Sequence, residues 1–407
     1  MSLDTTPSLK RSLGFWLLLF YGVGNILGAG IYVLVGKVAA QAGYFVPLSF
    51  MLAALVAAFS AFTYAELSSR YPFAAGEAVY LQKGFGLTWL SSATGVLIAM
   101  AGILSAATIA RGFVGYLQLF VEIPQWLAII ALLVLLGAVA IWGIAESVKI
   151  AALFTLLEII GLLLIIITGS AQLERLPGII DNLPALNQRH LWPGIFAGAF
   201  LAFYAFIGFE DMVNVAEEVR EPEITIPRAI LSALIIATLL YAMVSLVAVV
   251  NLSPRELAAS EAPLADLYTA ATGRKAVVIS LISLFAIVNG ALIQIIMASR
   301  IFYGMSRLGW LPAILGRVSQ RSHTPVIATL LVTSFILVLA LWFPLVKLAA
   351  STSYLILSVF LLVNLALLRI RAIYPLPENV KGYPVWVPVM GAAGSLLLLM
   401  AQIFIRG

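Results

Sequence analysis

Carboxyl groups and glycines interrupt stretches of this chain that are otherwise apolar. Glu158 stands in Phe154-Thr155-Leu156-Leu157-Glu158-Ile159-Ile160-Gly161, with no basic residue a helical turn away. Glu210 and Asp211 close Phe203-Tyr204-Ala205-Phe206-Ile207-Gly208-Phe209-Glu210-Asp211. A low-dielectric cavity penalises the charged form of a carboxyl. Glu158 can therefore load and release a proton, hold a cation as an anion, or serve as a hydrogen-bonded structural group. Glycines crowd an earlier run: Gly22, Gly24, Gly28 and Gly30, ending in Gly28-Ala29-Gly30-Ile31. Glycine loosens a helix and admits another group to its backbone, although small residues also serve close helix packing. Freed amides at a half-helix N-terminus attract a carboxylate, and freed carbonyls attract an ammonium or a cation. A site offering both suits an amino acid zwitterion. Asn25, which precedes the break at Gly28-Ala29-Gly30, can hydrogen-bond freed backbone.

Other chemistries lack their residues. The chain has no cysteine and two histidines, His190 and His323, both in loop-like stretches. Thiol chemistry, disulfides and a histidine metal cluster are excluded. Neither Gly-x-Ser-x-Gly nor His-Glu-x-x-His occurs, and no P-loop follows a strand, so an enzyme is not expected. Neither is a cofactor.

The elements that must position these groups are membrane spans. Of 407 residues, 63% are hydrophobic and 10% charged, against about 25% charged in an ordinary soluble domain. One span needs about 20 apolar residues. Eleven runs qualify, at 13–38, 45–69, 87–118, 124–142, 148–169, 192–215, 228–250, 276–306, 324–343, 346–369 and 385–405. The net charge of +5 reflects basic loops facing a lipid bilayer, not nucleic-acid binding. With the N-terminus cytoplasmic, the Arg300–Arg321 loop falls inside, as the positive-inside rule requires, and Gly407 falls outside. The first and sixth runs, both interrupted by glycine, lie in corresponding halves. Such a pair points to the binding site of an inverted-repeat transporter.

The ordered motifs resemble the amino acid–polyamine–organocation superfamily of permeases, with its LeuT-type fold. They are Gly28-Ala29-Gly30-Ile31; Glu66-Leu67-Ser68-Ser69-Arg70-Tyr71-Pro72 with Gly76 and Tyr80; Gly208-Phe209-Glu210; Glu217-Glu218 with Pro222 and Ile226-Pro227-Arg228-Ala229; and Ser299-Arg300 to Leu311-Pro312. The resemblance implies an all-α membrane protein with a 5+5 inverted repeat, 13–169 and 192–369, plus an extra helix at 385–405. Helices 1 and 6 are unwound in this fold, and access alternates around a central site. Many members have twelve spans, where eleven are read here.

Residue by residue, the resemblance implies that the amides of Ala29, Gly30 and Ile31 hold the substrate carboxylate. The carbonyls of Ile26, Tyr204 and Ile207 hold its amino group. Tyr204 or Phe206 gates the site, and Gln294 lines it. Glu158 replaces a lysine found in proton-coupled relatives, at the position where sodium-coupled members bind sodium. The alignment there rests on Glu146-Ser147-Val148-Lys149. A glutamate at Glu210 is linked to proton-dependent gating in similar antiporters. The expected function is secondary transport of amino acids by alternating access, proton-coupled or by exchange, neutral ones favoured, across the plasma (inner) membrane. A proton or sodium is the coupling ion. Cationic amino acid or amine transport, and a sensor without net transport, are the alternatives. Arg111 is expected to snorkel to the outer interface.

Overall fold

The computed structural model describes Arg11 and residues 13–28, 30–73, 76–142, 147–307, 309–319, 322, 324–378 and 380–406. Ala29, Glu146 and His323 fall outside them. The described chain is helical apart from connecting turns and one isolated β-bridge, between Leu13 and Val219.

In the first half run α1 (Phe15–Leu27), α2 (Gly30–Ala42), α3 (Val46–Arg70), α4 (Gly76–Phe85), α5 (Thr88–Leu117), α6 (Gln125–Trp142) and α7 (Ser147–Ser170). A short α8 (Leu176–Asp181) leads to the second half: α9 (Trp192–Phe203), α10 (Pro222–Asn251), α11 (Pro254–Ala259), α12 (Pro263–Thr272), α13 (Val277–Arg307), α14 (Val326–Trp342) and α15 (Leu345–Ile373). The last helix is α16 (Trp386–Arg406). Each of the eleven expected spans has its helix, two of them in broken pieces. Among the described residues, seven stretches are long and apolar enough to cross a membrane, the first covering α1 to α3, and α6, α14 and α16 are shorter apolar helices.

Packing follows from the sequence. Helices apolar all round have no solvent face to assign, so small residues and buried polar pairs decide their neighbours. α3 packs on α10, and α5 on α13. α1 lies against α7 and α10, and α2 against α9. α16 covers α3 and α15.

Hydrogen bonds and ion pairs tie the ends. On one side, the Arg220 amide donates to the Leu13 carbonyl at 2.8 Å, and the Ser69 hydroxyl to the Glu223 carbonyl at 2.6 Å. Nearby, buried Glu66 accepts from Arg70, from Arg371 and from the Tyr383 amide at 3.2 Å. On the other side, Lys37 of α2 pairs with Glu261 at 3.1 Å. Arg111 does not simply reach for the interface: its Nε donates to the Ala340 carbonyl at 2.7 Å and an Nη to Leu341 at 3.2 Å. It thereby satisfies the last carbonyls of α14, which no helical amide can reach.

Candidate functional site

Two helix breaks face one another at the centre. α1 stops where the Gly28 amide closes onto the Gly24 carbonyl at 3.0 Å, and α2 resumes at Gly30. There the two breaks touch, since a methyl group on Gly30 would overlap Ala205. In the second half, α9 tightens into a 3-10 turn at Tyr204–Phe206, becomes extended at Ile207, and reaches Gly208 at φ +127°. Only glycine adopts that conformation without strain, and a Cβ there would lie 2.9 Å from the Asn25 backbone. A second 3-10 segment, Glu210–Glu218, follows.

Side chains take up the freed backbone groups. Asn25 Nδ2 donates to the Gly208 carbonyl at 3.0 Å and to Asp211 Oδ2 at 2.7 Å. Gln294 Nε2, on α13, donates to the same Asp211 oxygen at 3.3 Å and lies 3.5 Å from Asn25 Oδ1. Glu210 turns back on its own break, accepting from the Gly208 amide at 2.8 Å. The Tyr241 hydroxyl, on α10, is shared between the carbonyls of Ile26 at 2.6 Å and Ala205 at 3.0 Å. One phenol thus holds both breaks. The Tyr204 carbonyl accepts the Ile207 amide at 3.2 Å, while its hydroxyl meets Ser105 of α5 at 3.0 Å.

Between the breaks is a cavity of about 10 Å³, room for about one water. Asn25, Ile26 and Gly30 line it from the first break, Tyr204 and Ile207 from the second, Ser105 and Ile109 from α5, and Gly290 and Gln294 from α13. Of the residues singled out in the sequence, Asn25, Ile26, Gly30, Tyr204, Ile207 and Gln294 therefore meet at one point. Ile31 and Phe206 are buried away from the cavity, and Phe206 packs edge-on against Tyr241 with ring centres 5.1 Å apart. Ala29 lies outside the described residues. Ser105, Ile109, Gly290 and Tyr241 were not anticipated. An interior serine or glycine in an apolar helix looks no different from a packing residue, and Tyr241 gives no local signal.

Glu158 sits beside this cavity and does not line it. It is 1% exposed, in α7. Its Oε1 is 3.5 Å from Asn289 Nδ2 of α13, next in sequence to cavity-lining Gly290, and its Oε2 has no hydrogen-bond partner. Its carbonyl accepts from the Tyr32 hydroxyl of α2 at 3.1 Å. Among the described residues the ion pairs are Lys37–Glu261, Arg70–Glu66 and Arg371–Glu66. Glu158, Glu210 and Asp211 are in none of them.

Comparison with known proteins agrees with this architecture. The chain is 31% identical over 410 residues to the branched-chain amino acid permease BcaP of Lactococcus lactis, covering 93% of this chain and 86% of that protein. It is 27% identical to BcaP of Bacillus subtilis, over 97% of this chain and 88% of the relative. It is also 30% identical to cationic amino acid transporter 3, mitochondrial, of Arabidopsis thaliana, over 91% of this chain. The chain spans only 64% of that plant protein's length. The amino acid permease family model matches residues 13–407, which include both helix breaks and every residue of the cavity between them. The chain therefore belongs to the amino acid permease family.

Proposed function

We propose that this protein carries amino acids across a membrane by alternating access, with neutral side chains preferred and a proton as the coupling ion. The observation that carries the reading is the pair of facing helix breaks with a small cavity between them. Broken spans in corresponding halves supply amides and carbonyls for a zwitterion. The contacts of α3 with α10 and of α5 with α13 join helices that correspond under the expected repeat, 13–169 onto 192–369, and so support it. The cavity walls are apolar or neutral, which favours a neutral substrate. In this reading the Ile26, Tyr204 and Ile207 carbonyls meet the ammonium. The amides at 29–31 meet the carboxylate, and Tyr204, not Phe206, faces the ligand. The protein is placed in the plasma (inner) membrane with its N-terminus cytoplasmic. The bond from Arg220 to Leu13 then closes the inner side, and the Lys37–Glu261 pair the outer side.

One observation favours a cationic substrate instead: the Asp211 carboxylate stands directly behind Asn25 and Gln294, both of which line the cavity. The experiment is uptake into liposomes under an inward proton gradient, with leucine and arginine as probes, beside a thermal-shift screen of twenty amino acids. A ligand that binds only the folded protein raises its unfolding temperature. Leucine uptake driven by the gradient is expected, without arginine uptake. Arginine uptake without leucine uptake moves the assignment to cationic substrates. Binding of an amino acid with no uptake of any defeats transport and leaves the sensor reading.

A further inference from the structure

Unsatisfied polar atoms gather in one place. Among the described residues, nine buried side-chain nitrogen or oxygen atoms lack a hydrogen-bond partner. Five of these belong to a single cluster beside the second helix break: Glu77 Oε1, Glu210 Oε1, the Tyr64 and Tyr80 hydroxyls, and Asn214 Nδ2. Glu77 lies in the first turn of α4 and is 1% exposed, while Tyr64 and Tyr80 are 0% exposed. The Tyr64 ring bridges the group, edge-on to Tyr80 at 6.3 Å and to Phe209 at 5.7 Å. Gly76 lies tightly against Val213 and the Tyr80 hydroxyl, so the start of α4 rests on the 3-10 segment that carries Glu210, Asp211 and Asn214. Buried polar groups in native proteins are almost always paired, and a concentration of orphans calls for an unseen water, ion or proton.

The surroundings select among these. The groups facing Glu77 are Tyr64 of α3, Tyr80 of α4 itself, and Asp211, Glu210 and Asn214 of the 3-10 segment. α5 and α15 also pack on α4. They present Ser91 to Gln82, and Arg369 over the Phe85 ring, at the far end of the helix, where Lys83 is exposed. Among the described residues no lysine or arginine pairs with the three carboxyls, and no set of acidic side chains converges in a metal-binding arrangement. Neighbouring carboxyls without a counter-charge cannot all ionise. Burial, with Asp211 nearby, pushes the Glu77 carboxyl up to about 8.

We propose that Glu77, Glu210 and Asp211 form one buried proton-binding site, with Glu77 as the member closest to the cytoplasmic solvent. The O–H bond forms on a carboxylate oxygen, and the proton comes from and returns to bulk water. Hydroxyls of Tyr64 and Tyr80 hydrogen-bond the occupied form. Asp211 connects the site to the cavity, because its Oδ2 accepts from both Asn25 and Gln294. Proton occupancy of the site thereby changes the charge behind two groups that line the substrate cavity. This link to substrate, and the cytoplasmic placement of α4, rest on the transport reading above; the proton site itself does not.

Two measurements on the purified full chain test it. Infrared difference spectra between acidic and alkaline pH should show a protonated-carboxyl band titrating near pH 8, absent in Glu77→Gln. Leucine affinity of the wild type should change several-fold across the same range, and that change should be lost in Glu77→Gln. An unaltered band and an unaltered pH profile in the variant overturn the proposal. A wild type that binds no leucine at any pH, yet shows a band abolished by Glu77→Gln, removes the transport reading and leaves the proton site standing. Should Glu77→Gln not fold, Glu77→Asp and Tyr64→Phe must each shift the midpoint of the band, and an unmoved midpoint in both rejects the site.

Discussion

Glu158 is the most exacting test of a single residue. A charged group this deep normally has a partner, yet one of its oxygens has none and the other has only a long contact to Asn289 at 3.5 Å. A glutamine keeps the shape and mimics the protonated acid. The Glu158→Gln variant should bind substrate and perform homo-exchange as the wild type does, while its net uptake is no longer driven by a pH gradient. Liposomes with an imposed pH gradient measure both, and uptake still driven by the gradient would make Glu158 structural. Residues differ in how much of this could be read beforehand. Glu158 and Glu210 stand out because a carboxyl in an apolar run has no ordinary explanation. Glu77 does not. It follows Pro72 and Gly76 in a stretch that reads as a connecting loop, where a carboxylate is normally solvated. Only the folding of α4 against Val213 and the Tyr64–Tyr80 pair buries it. Tyr241 is hidden for the same reason: its two acceptors, at Ile26 and Ala205, are 215 and 36 residues away in the chain.

At the scale of elements, the breaks depend on conformations that few residues adopt. Gly208 combines a φ of +127° with close contact to the Asn25 backbone. Alanine there must accept both, at a cost of about 1–3 kcal/mol for the backbone conformation alone. Gly208→Ala should lower the unfolding temperature and abolish amino acid binding, with helix content by circular dichroism close to that of the wild type. A variant with wild-type thermal stability would show that the second break relaxes freely. The elements themselves were largely legible, since hydropathy marks the spans and glycine marks the interruptions. Exact break points were less so. The sequence places a substrate-facing role on Gly30, and the structure adds a second constraint, its contact with Ala205. A bulky side chain at Gly30 thus separates the two breaks as well as filling the site, and Gly30→Leu cannot by itself report on carboxylate binding.

At the scale of the whole molecule, the space between the two breaks is small. A space of about 10 Å³ cannot hold an amino acid, so binding has to be coupled to opening. At the end of α3 the tie to α15 is made by side chains, with two arginines and a main-chain amide converging on the buried Glu66 carboxylate. Near the second break it is different in kind, because the Arg220 amide donates directly to the Leu13 carbonyl at 2.8 Å. A main-chain seam survives changes of side chain at either residue, proline at position 220 excepted, and its proton is a clock. The Arg220 amide can trade its hydrogen for solvent deuterium only when the seam parts. When closing outpaces exchange, its rate reports the fraction of time for which the seam is parted. Deuterium uptake at Arg220 should be slow in the substrate-free protein and faster when leucine drives turnover. Uptake at the rate of an unstructured amide would mean that the seam is not a barrier. Slow uptake that quickens with leucine would let the parting of the seam be read from one backbone hydrogen, with no residue altered.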